Sequence, residues 1–205
     1  MVEESKNRES LKVSGLREVR EEIVNAAREV FGRYGFRKST MDEIARAARK
    51  GKSSLYHYFK SKEDVFRAVV EKEGNILEQQ MEQALKKEET PQAKLCTYTL
   101  KRMEILNRVA NFYSAFKDEY LEQYAFIQRI RKKYDAWELA TIKGILQEGV
   151  DKGIFVVKDL ELSAFTIVTT MKGLEYHWAM QKDVSKIKNG INSLFGILFD
   201  GIMKR

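Results

Sequence analysis

The stretch KGKSSLYHYF, residues 50–59, sets two lysines, two serines, two tyrosines and a histidine around one leucine and one phenylalanine. A core helix would carry more aliphatic residues, and an ordinary solvated helix fewer aromatic ones. Read as a short helix from Lys52 to Phe59, it gathers Leu55, Tyr58 and Phe59 on one face by i, i+3, i+4 spacing. Lys52, Ser53, Ser54, Tyr56 and His57 are left pointing outward. Such a helix needs a body behind its apolar anchor and a partner in front of its polar face.

Upstream, Leu16, Val19, Ile23, Ala26, Ala27, Val30, Phe31 and Tyr34 recur at helical spacing, and Gly35 follows where a helix would stop. After the basic turn Phe36-Arg37-Lys38-Ser39, Thr40 caps a second helix, with Glu43 three residues on completing a capping box. Ile44, Ala45 and Ala48 give that helix an inward face, and Arg49-Lys50-Gly51 breaks it before the opening stretch begins. Two short helices joined by a tight turn, the second displaying Lys, Ser, Tyr and His outward, describe a helix-turn-helix whose second helix enters the major groove of DNA. The chemistry suits that task. Lysines neutralise phosphates, Ser and Tyr hydroxyls bond phosphate oxygens, and Ser or His can reach base edges.

The charge distribution agrees. Residues 1–62 hold 15 Lys and Arg against 9 Asp and Glu, and residues 31–62 hold 9 against 2, whereas residues 63–205 are nearly balanced at 22 against 21. A local basic field of this kind favours a polyanion or an anionic membrane surface. The N-terminal arm adds Lys6, Arg8, Lys12, Arg17 and Arg20, either as a disordered tail or as an arm following the minor groove.

Downstream, Ser61 caps a long fourth helix with Glu63 and Asp64 in its first turn and Val65, Phe66, Val69, Val70, Ile76, Leu77 and Met81 along it. Thr90-Pro91 opens a fifth helix, Pro at its first position losing nothing by having no N–H. Residues 110–152 are again helical and rich in aromatics, and two last helices are expected over about 160–180 and 185–203. The final one carries Ile187, Ile191, Leu194, Phe195, Leu198, Phe199 and Ile202 as a continuous stripe. That stripe packs onto its own domain or pairs with a second copy of itself.

The chain of 205 residues is 43% apolar, with one proline and twelve glycines, so an all-α fold of about nine helices is expected. Its only cysteine, Cys96, cannot form an intrachain disulfide, which fits a reducing cytosol. No signal-peptide segment and no apolar run of about 18 residues is present, so the expected location is cytoplasmic, without membrane spanning. Two histidines in different regions, one cysteine, no glycine-rich phosphate loop, no GxSxG and no metal-ligand spacing leave an enzyme, a metal site or a cofactor without support.

Residues 23–66, IVNAAREVFGRYGFRKSTMDEIARAARKGKSSLYHYFKSKEDVF, resemble the DNA-binding region of the TetR/AcrR family of transcriptional regulators along their whole length. The similarity is carried by Ala26-Ala27, Phe31, Gly35-Phe36, Thr40-Met41, Ile44-Ala45, Ala48, Leu55-Tyr56, Tyr58-Phe59 and Ser61-Lys62-Glu63. Residues 146–178, LQEGVDKGIFVVKDLELSAFTIVTTMKGLEYHW, resemble more weakly the end of the family's long middle helix and its penultimate helix. The resemblance implies phosphate contacts from Thr40 and Lys62, groove or phosphate contacts from Lys52, Ser53, Ser54, Tyr56 and His57, and core positions for Leu55 and Phe59. Where the family usually has Gly-Val-Ser in the turn, this chain has Arg49-Lys50-Gly51. An arginine at positive φ costs about 1–2 kcal/mol, so either the turn is built differently or the strain is tolerated.

The resemblance further implies an N-terminal three-helix helix-turn-helix domain over 1–62, and a helical effector-binding and dimerisation domain over 63–205 that holds a small-molecule pocket. Phe112, Tyr113, Phe116, Tyr120, Tyr124, Trp137, Tyr176 and His177 are the candidate lining of that pocket. Phe165, Ile191, Leu194, Phe195, Leu198 and Phe199 are the candidate dimer interface. The function expected is a repressor that binds a palindromic operator as a homodimer and is released by a small-molecule effector. Its alternatives are an activator or a helical protein binding nucleic acid without sequence preference.

Overall fold

The computed structural model describes residues 2–106, 109–118, 121, 123–179 and 184–200. Among them every regular element is a helix: α1 (Val2–Lys38), α2 (Met41–Ala47), α3 (Lys52–Tyr58), α4 (Lys62–Leu85), α5 (Pro91–Leu106), α6 (Ala110–Lys117), α7 (Ala125–Asp151), α8 (Leu160–Ala179) and α9 (Val184–Asp200). The all-α expectation holds. The chain packs as two compact units, Met1–Glu73 with Ala110–Ile127, and Gly74–Val109 with Gln128–Arg205. Compactness therefore divides the chain differently from the 1–62 and 63–205 domains expected, because the first half of α4 and the whole of α6 pack with the N-terminal helices.

In the first unit, Ile23, Val24, Ala27, Val30 and Phe31 of α1 meet Ile44, Ala45, Leu55, Phe59, Val65, Phe66 and Val69 in one buried core. Leu16 and Tyr34, expected on the inward stripe, are 41% and 48% exposed. The helix also starts earlier than its apolar pattern suggested. Residues 2–15 present no apolar stripe, but they are rich in good helix formers and continue α1 as a polar helix.

At the other end, Gly35 takes φ 76° and ψ 162°, a conformation that only glycine adopts without strain, and α1 bends there. The bend lets Phe36 turn back against Phe66 and Phe31, with ring centroids 4.8 and 6.0 Å away. Ser39 locks it by donating to the Gly35 carbonyl at 2.7 Å.

A buried polar hub completes this unit. Glu73 of α4, 1% exposed, accepts from Arg28 Nε of α1 at 2.7 Å, from Asn111 Nδ2 of α6 at 2.9 Å and from the Phe112 amide at 2.8 Å. Asn111 Nδ2 also donates to the Arg28 carbonyl at 3.1 Å. A buried carboxylate is tolerated only when paired and fully hydrogen-bonded, and here both oxygens are occupied.

In the second unit, α5 packs against α8 and α9. Leu95, Tyr98 and Ile105 of α5 are buried, as are Tyr134, Ile142, Ile145 and Leu146 of α7 and Ala164, Val168 and Met171 of α8. Fully buried Glu138 pairs with Arg102, accepts from the Tyr98 hydroxyl at 3.0 Å, and lies 3.1 Å from Lys172 Nζ. Thr90 and Pro91 open α5 as expected, the Ala93 amide donating to Thr90 Oγ1 at 3.2 Å.

Glu73→Ala leaves three donors facing a void. Because Arg28 is one-third exposed and can recover some water, a loss of about 2–3 kcal/mol is expected, below the range for a fully buried pair. Thermal unfolding of the full chain should shift down by roughly 4–12 °C, with a smaller shift for Glu73→Gln, which keeps the volume and one acceptor.

Candidate nucleic-acid interface and effector cavity

The recognition element is assembled by three caps. At α2, Thr40 Oγ1 accepts from the Glu43 amide at 3.2 Å, and Glu43 Oε2 accepts from the Thr40 amide and hydroxyl, both at 2.8 Å. Those bonds to Thr40 hold the Glu43 carboxyl below the usual carboxylate range. The cap is thus intact at and above ordinary carboxylate pKa values and is lost only as pH falls through the lowered one.

At the other end of α2, Arg49 adopts φ 53°. The strain raised by the sequence is real, and two bonds offset it. The Lys50 amide returns to the Ala45 carbonyl at 2.9 Å, and the Arg49 amide to Arg46 at 3.0 Å, the pair that closes a helix through a left-handed residue. Lys50 Nζ then pairs with Glu22 of α1 at 2.8 Å, holding the turn to the body.

Gly51 caps α3 in an extended conformation, and Leu55 and Phe59, at 0% and 4% exposure, anchor the helix. Arg20 lies over the Phe59 ring at 4.9 Å. With one side fixed, Lys52, Ser53, Tyr56 and His57 are exposed together, Ser54 is half-buried, and half-buried Tyr58 stands edge-on to His57 at 5.3 Å. The structure therefore brings the outward residues of the opening stretch to one free helix surface. Lys52 Nζ rests 2.9 Å from Asp42 Oδ1, and that carboxylate raises its pKa. Both partners are exposed, so exchanging the carboxylate for a phosphate oxygen costs little. Arg49 and Lys60 stand exposed beside this surface without an ion pair among the described residues. Lys60 had no signal in the sequence beyond its charge.

Lys62, for which the resemblance implies a phosphate contact, has intramolecular partners. Its Nζ donates to the carbonyls of Phe36 at 2.9 Å, Ser39 at 3.0 Å and Arg37 at 3.4 Å, and sits 4.4 Å from the centroid of the Phe36 ring. The end of α1 leaves carbonyls without intrahelical partners at the negative end of its dipole, and a lysine is a natural cap there. The three N–H groups of the ammonium are committed inside the protein.

Three of the expected pocket aromatics have described side chains. Phe112 is buried and Tyr124 packs 6.0 Å from Phe36, both in the first unit. Trp137, in the second, stacks on Tyr134 at 5.6 Å. Tyr120, and the side chains of Tyr113, Phe116, Tyr176 and His177, lie outside the described residues. A cavity of about 660 Å³ opens instead within the second unit, between the start of α5, the end of α7, the connection 154–158, the start of α8 and the end of α9. Phe112, Tyr124 and Trp137, the candidate aromatics with described side chains, are not among its lining.

The candidate dimer stripe also divides. Ile191 and Phe195 are buried in their own unit, Leu194 is half-buried and Phe199 stacks on Phe195 at 5.4 Å. Leu198 and Phe165 are 51% and 57% exposed, and they are joined by Leu162 and Ile197 at 61% and 52%.

Fold and site together define a helix-turn-helix DNA-binding protein with a second helical unit containing a cavity. The family model described as "Bacterial regulatory proteins, tetR family" matches residues 23–69. The fatty acid metabolism regulator protein of Bacillus subtilis (strain 168) is 29% identical over 187 residues, covering 88% of this chain and 94% of that one. The crystal structure of the transcriptional regulator FadR from Bacillus subtilis in complex with stearoyl-CoA is 26% identical, with a TM-score of 0.70, over 89% of this chain and 99% of that one. A TetR/AcrR regulator from Thermobifida fusca YX-ER1 shares the fold at 20% identity, with a TM-score of 0.72, over 90% and 98% of the two chains. The match over residues 23–69 and the similarity along most of the chain support a transcriptional regulator of the TetR/AcrR family.

Lys62→Ala separates a cap from a phosphate contact. The internal role predicts a loss of about 1–2 kcal/mol in thermal unfolding and no change in the salt dependence of DNA binding. A phosphate contact would instead leave stability alone and lower the slope of log K against log salt by about 1. For Lys52→Ala the second pattern is expected.

Proposed function

We propose that this regulator is a repressor that binds a palindromic operator as a homodimer in the cytoplasm, and that a long-chain acyl-CoA releases it. The observation that carries the DNA side is the exposed row Lys52, Ser53, Tyr56 and His57 on a helix whose opposite side is fixed by Leu55 and Phe59. Residues 1–62 are the DNA-binding part in this reading and 63–205 the effector-binding and dimerisation part. Two recognition helices must fall in successive major grooves, about 34 Å apart along the duplex, so one copy reads only half a site. The exposed apolar residues Leu162 and Phe165 of α8, with Ile197 and Leu198 of α9, are the surface a second copy would cover.

The acyl-CoA effector rests on similarity to the Bacillus subtilis regulators of fatty acid metabolism, one of them solved with stearoyl-CoA. Helix α4 starts at the Lys62 clamp beside the helix-turn-helix and runs unbroken to Leu85, giving effector binding a continuous element through which to bias recognition-helix spacing. A ligand that prefers the wrongly spaced state weakens DNA binding by its own differential affinity. Activation is the second reading, and the operator's position relative to the promoter decides between the two.

Titrating the protein onto DNA from upstream of its own coding region, with unrelated competitor present, tests the reading. Specific binding should survive competitor and moderate salt, and stearoyl-CoA should lower it at least ten-fold. Equal operator affinity with and without bound stearoyl-CoA would remove the release mechanism. Tyr56→Ala should weaken operator binding about ten-fold with an unchanged melting temperature. Leu162→Asp combined with Phe165→Asp should halve the mass in sedimentation, and an undiminished mass would mean that the seam lies elsewhere.

A further inference from the structure

We propose that the cavity of the second unit is the site for an acyl chain, with Lys158 holding the anionic group attached to that chain; the inference rests on the acyl-CoA reading above and gives it a place. The cavity volume of about 660 Å³ lies within the range of small-molecule sites. Its lining is mixed: Leu95 and Leu146 inside and Ile167 and Leu198 further out supply carbon, and Gln92, Ser163 and Lys158 supply polar groups. Among the described residues Lys158 is the one charged side chain in the lining, and it is exposed and makes no ion pair with them. An anionic head group finds a counter-charge in Lys158.

The site is built, not a gap left by a loose loop. The amides of Ile154 and Phe155 both donate to the Gly149 carbonyl, at 2.8 and 3.0 Å, so the end of α7 fixes the connection that follows it. The Phe155 ring lies directly on Gly149, where a Cβ would come within 2.0 Å of the ring. Only glycine leaves room for that ring, which stacks on Phe199 at 5.9 Å and 13°. Phe199 stacks in turn on buried Phe195, and the resulting row forms a rigid aromatic wall.

At the rim, Ile154 is 41% exposed and Val156 98%, beside half-exposed Leu198. Covering these carbons with an acyl chain recovers about 25 cal/mol per Å² of apolar surface. Gln92 lines the same cavity, and its amide oxygen is buried without a hydrogen-bond partner. No existing bond would be lost if that amide turned to meet a donor on the ligand. The chain with its anionic head could come from an acyl-CoA or from a free fatty acid. Gln92 favours the thioester, because the pantetheine arm carries amides that donate and accept, whereas a fatty carboxylate has no donor.

Calorimetric titration of the full chain with stearoyl-CoA, stearate and unacylated CoA tests this. Wild type should bind stearoyl-CoA more tightly than either of the others. Leu146→Trp, which fills the cavity, should weaken that binding at least ten-fold, with its melting curve checking the fold. Val156→Asp changes a fully exposed rim position and cannot disturb the core, so its expected several-fold loss keeps the test valid if the tryptophan variant misfolds. Lys158→Glu should weaken stearoyl-CoA and stearate alike. Unchanged binding by all three variants would put the chain elsewhere and leave the acyl-CoA reading standing. Tight binding of stearate without stearoyl-CoA would keep the site and overturn the effector, and no binding of either would overturn both.

Discussion

Glu73 is the constraint around which the DNA-binding unit is organised. A carboxylate this buried must find donors, and it finds them on two other helices, Arg28 of α1 and the opening turn of α6 at Asn111 and Phe112. Each is a charge-assisted bond whose loss would leave a buried ion behind. The boundaries of the unit follow from it: the first compact unit ends at Glu73 and resumes at Ala110, the segment that supplies the hub. A stretch far along the sequence is thereby made part of the body that carries the recognition helix. Any tilt of α6 against α4 has to be accommodated by a bond network with few alternative arrangements.

The helix-turn-helix itself was largely legible in the sequence, because its signals are local. Thr40 with Glu43, Ser61 and Thr90-Pro91 are caps whose partners lie within three residues, and the structure forms each of them. The two sides of α3 follow from spacing once Leu55 is placed inside. Even the strain at Arg49 could be anticipated from the absence of glycine at that position. What the sequence did not convey is how the strain is offset, since the Lys50–Glu22 pair joins residues 28 apart in the chain.

What else the sequence did not convey lies in contacts between distant segments. Lys62 reads as one more cation in a basic region, and only the bend at Gly35 shows that unpaired carbonyls wait for it. Aromatics between Phe112 and Trp137 look like one cluster along the sequence, whereas Phe112 and Tyr124 belong to the first compact unit and Trp137 to the second. The cavity is walled instead by Phe155 and Phe199, which come from a short connection and the final helix. Gly149 is placed by the same contact, since the Phe155 ring leaves no room there for a Cβ.

The stripe of α9 shows why periodicity alone could not assign a partner. Ile191 and Phe195, four residues apart, are on the side that α5 covers, whereas Ile197 and Leu198 are half-exposed. An apolar band this wide spans more of the helix circumference than one neighbour can bury. Part of it therefore belongs to the core of the chain, part to the cavity through Phe199 and Leu198, and the remainder has no cover within the described residues. Leu198 is shared by the cavity wall and the exposed surface, so a guest that reshapes one reshapes the other. In the dimer proposed above, such a shared residue would couple effector binding to dimer geometry through direct packing.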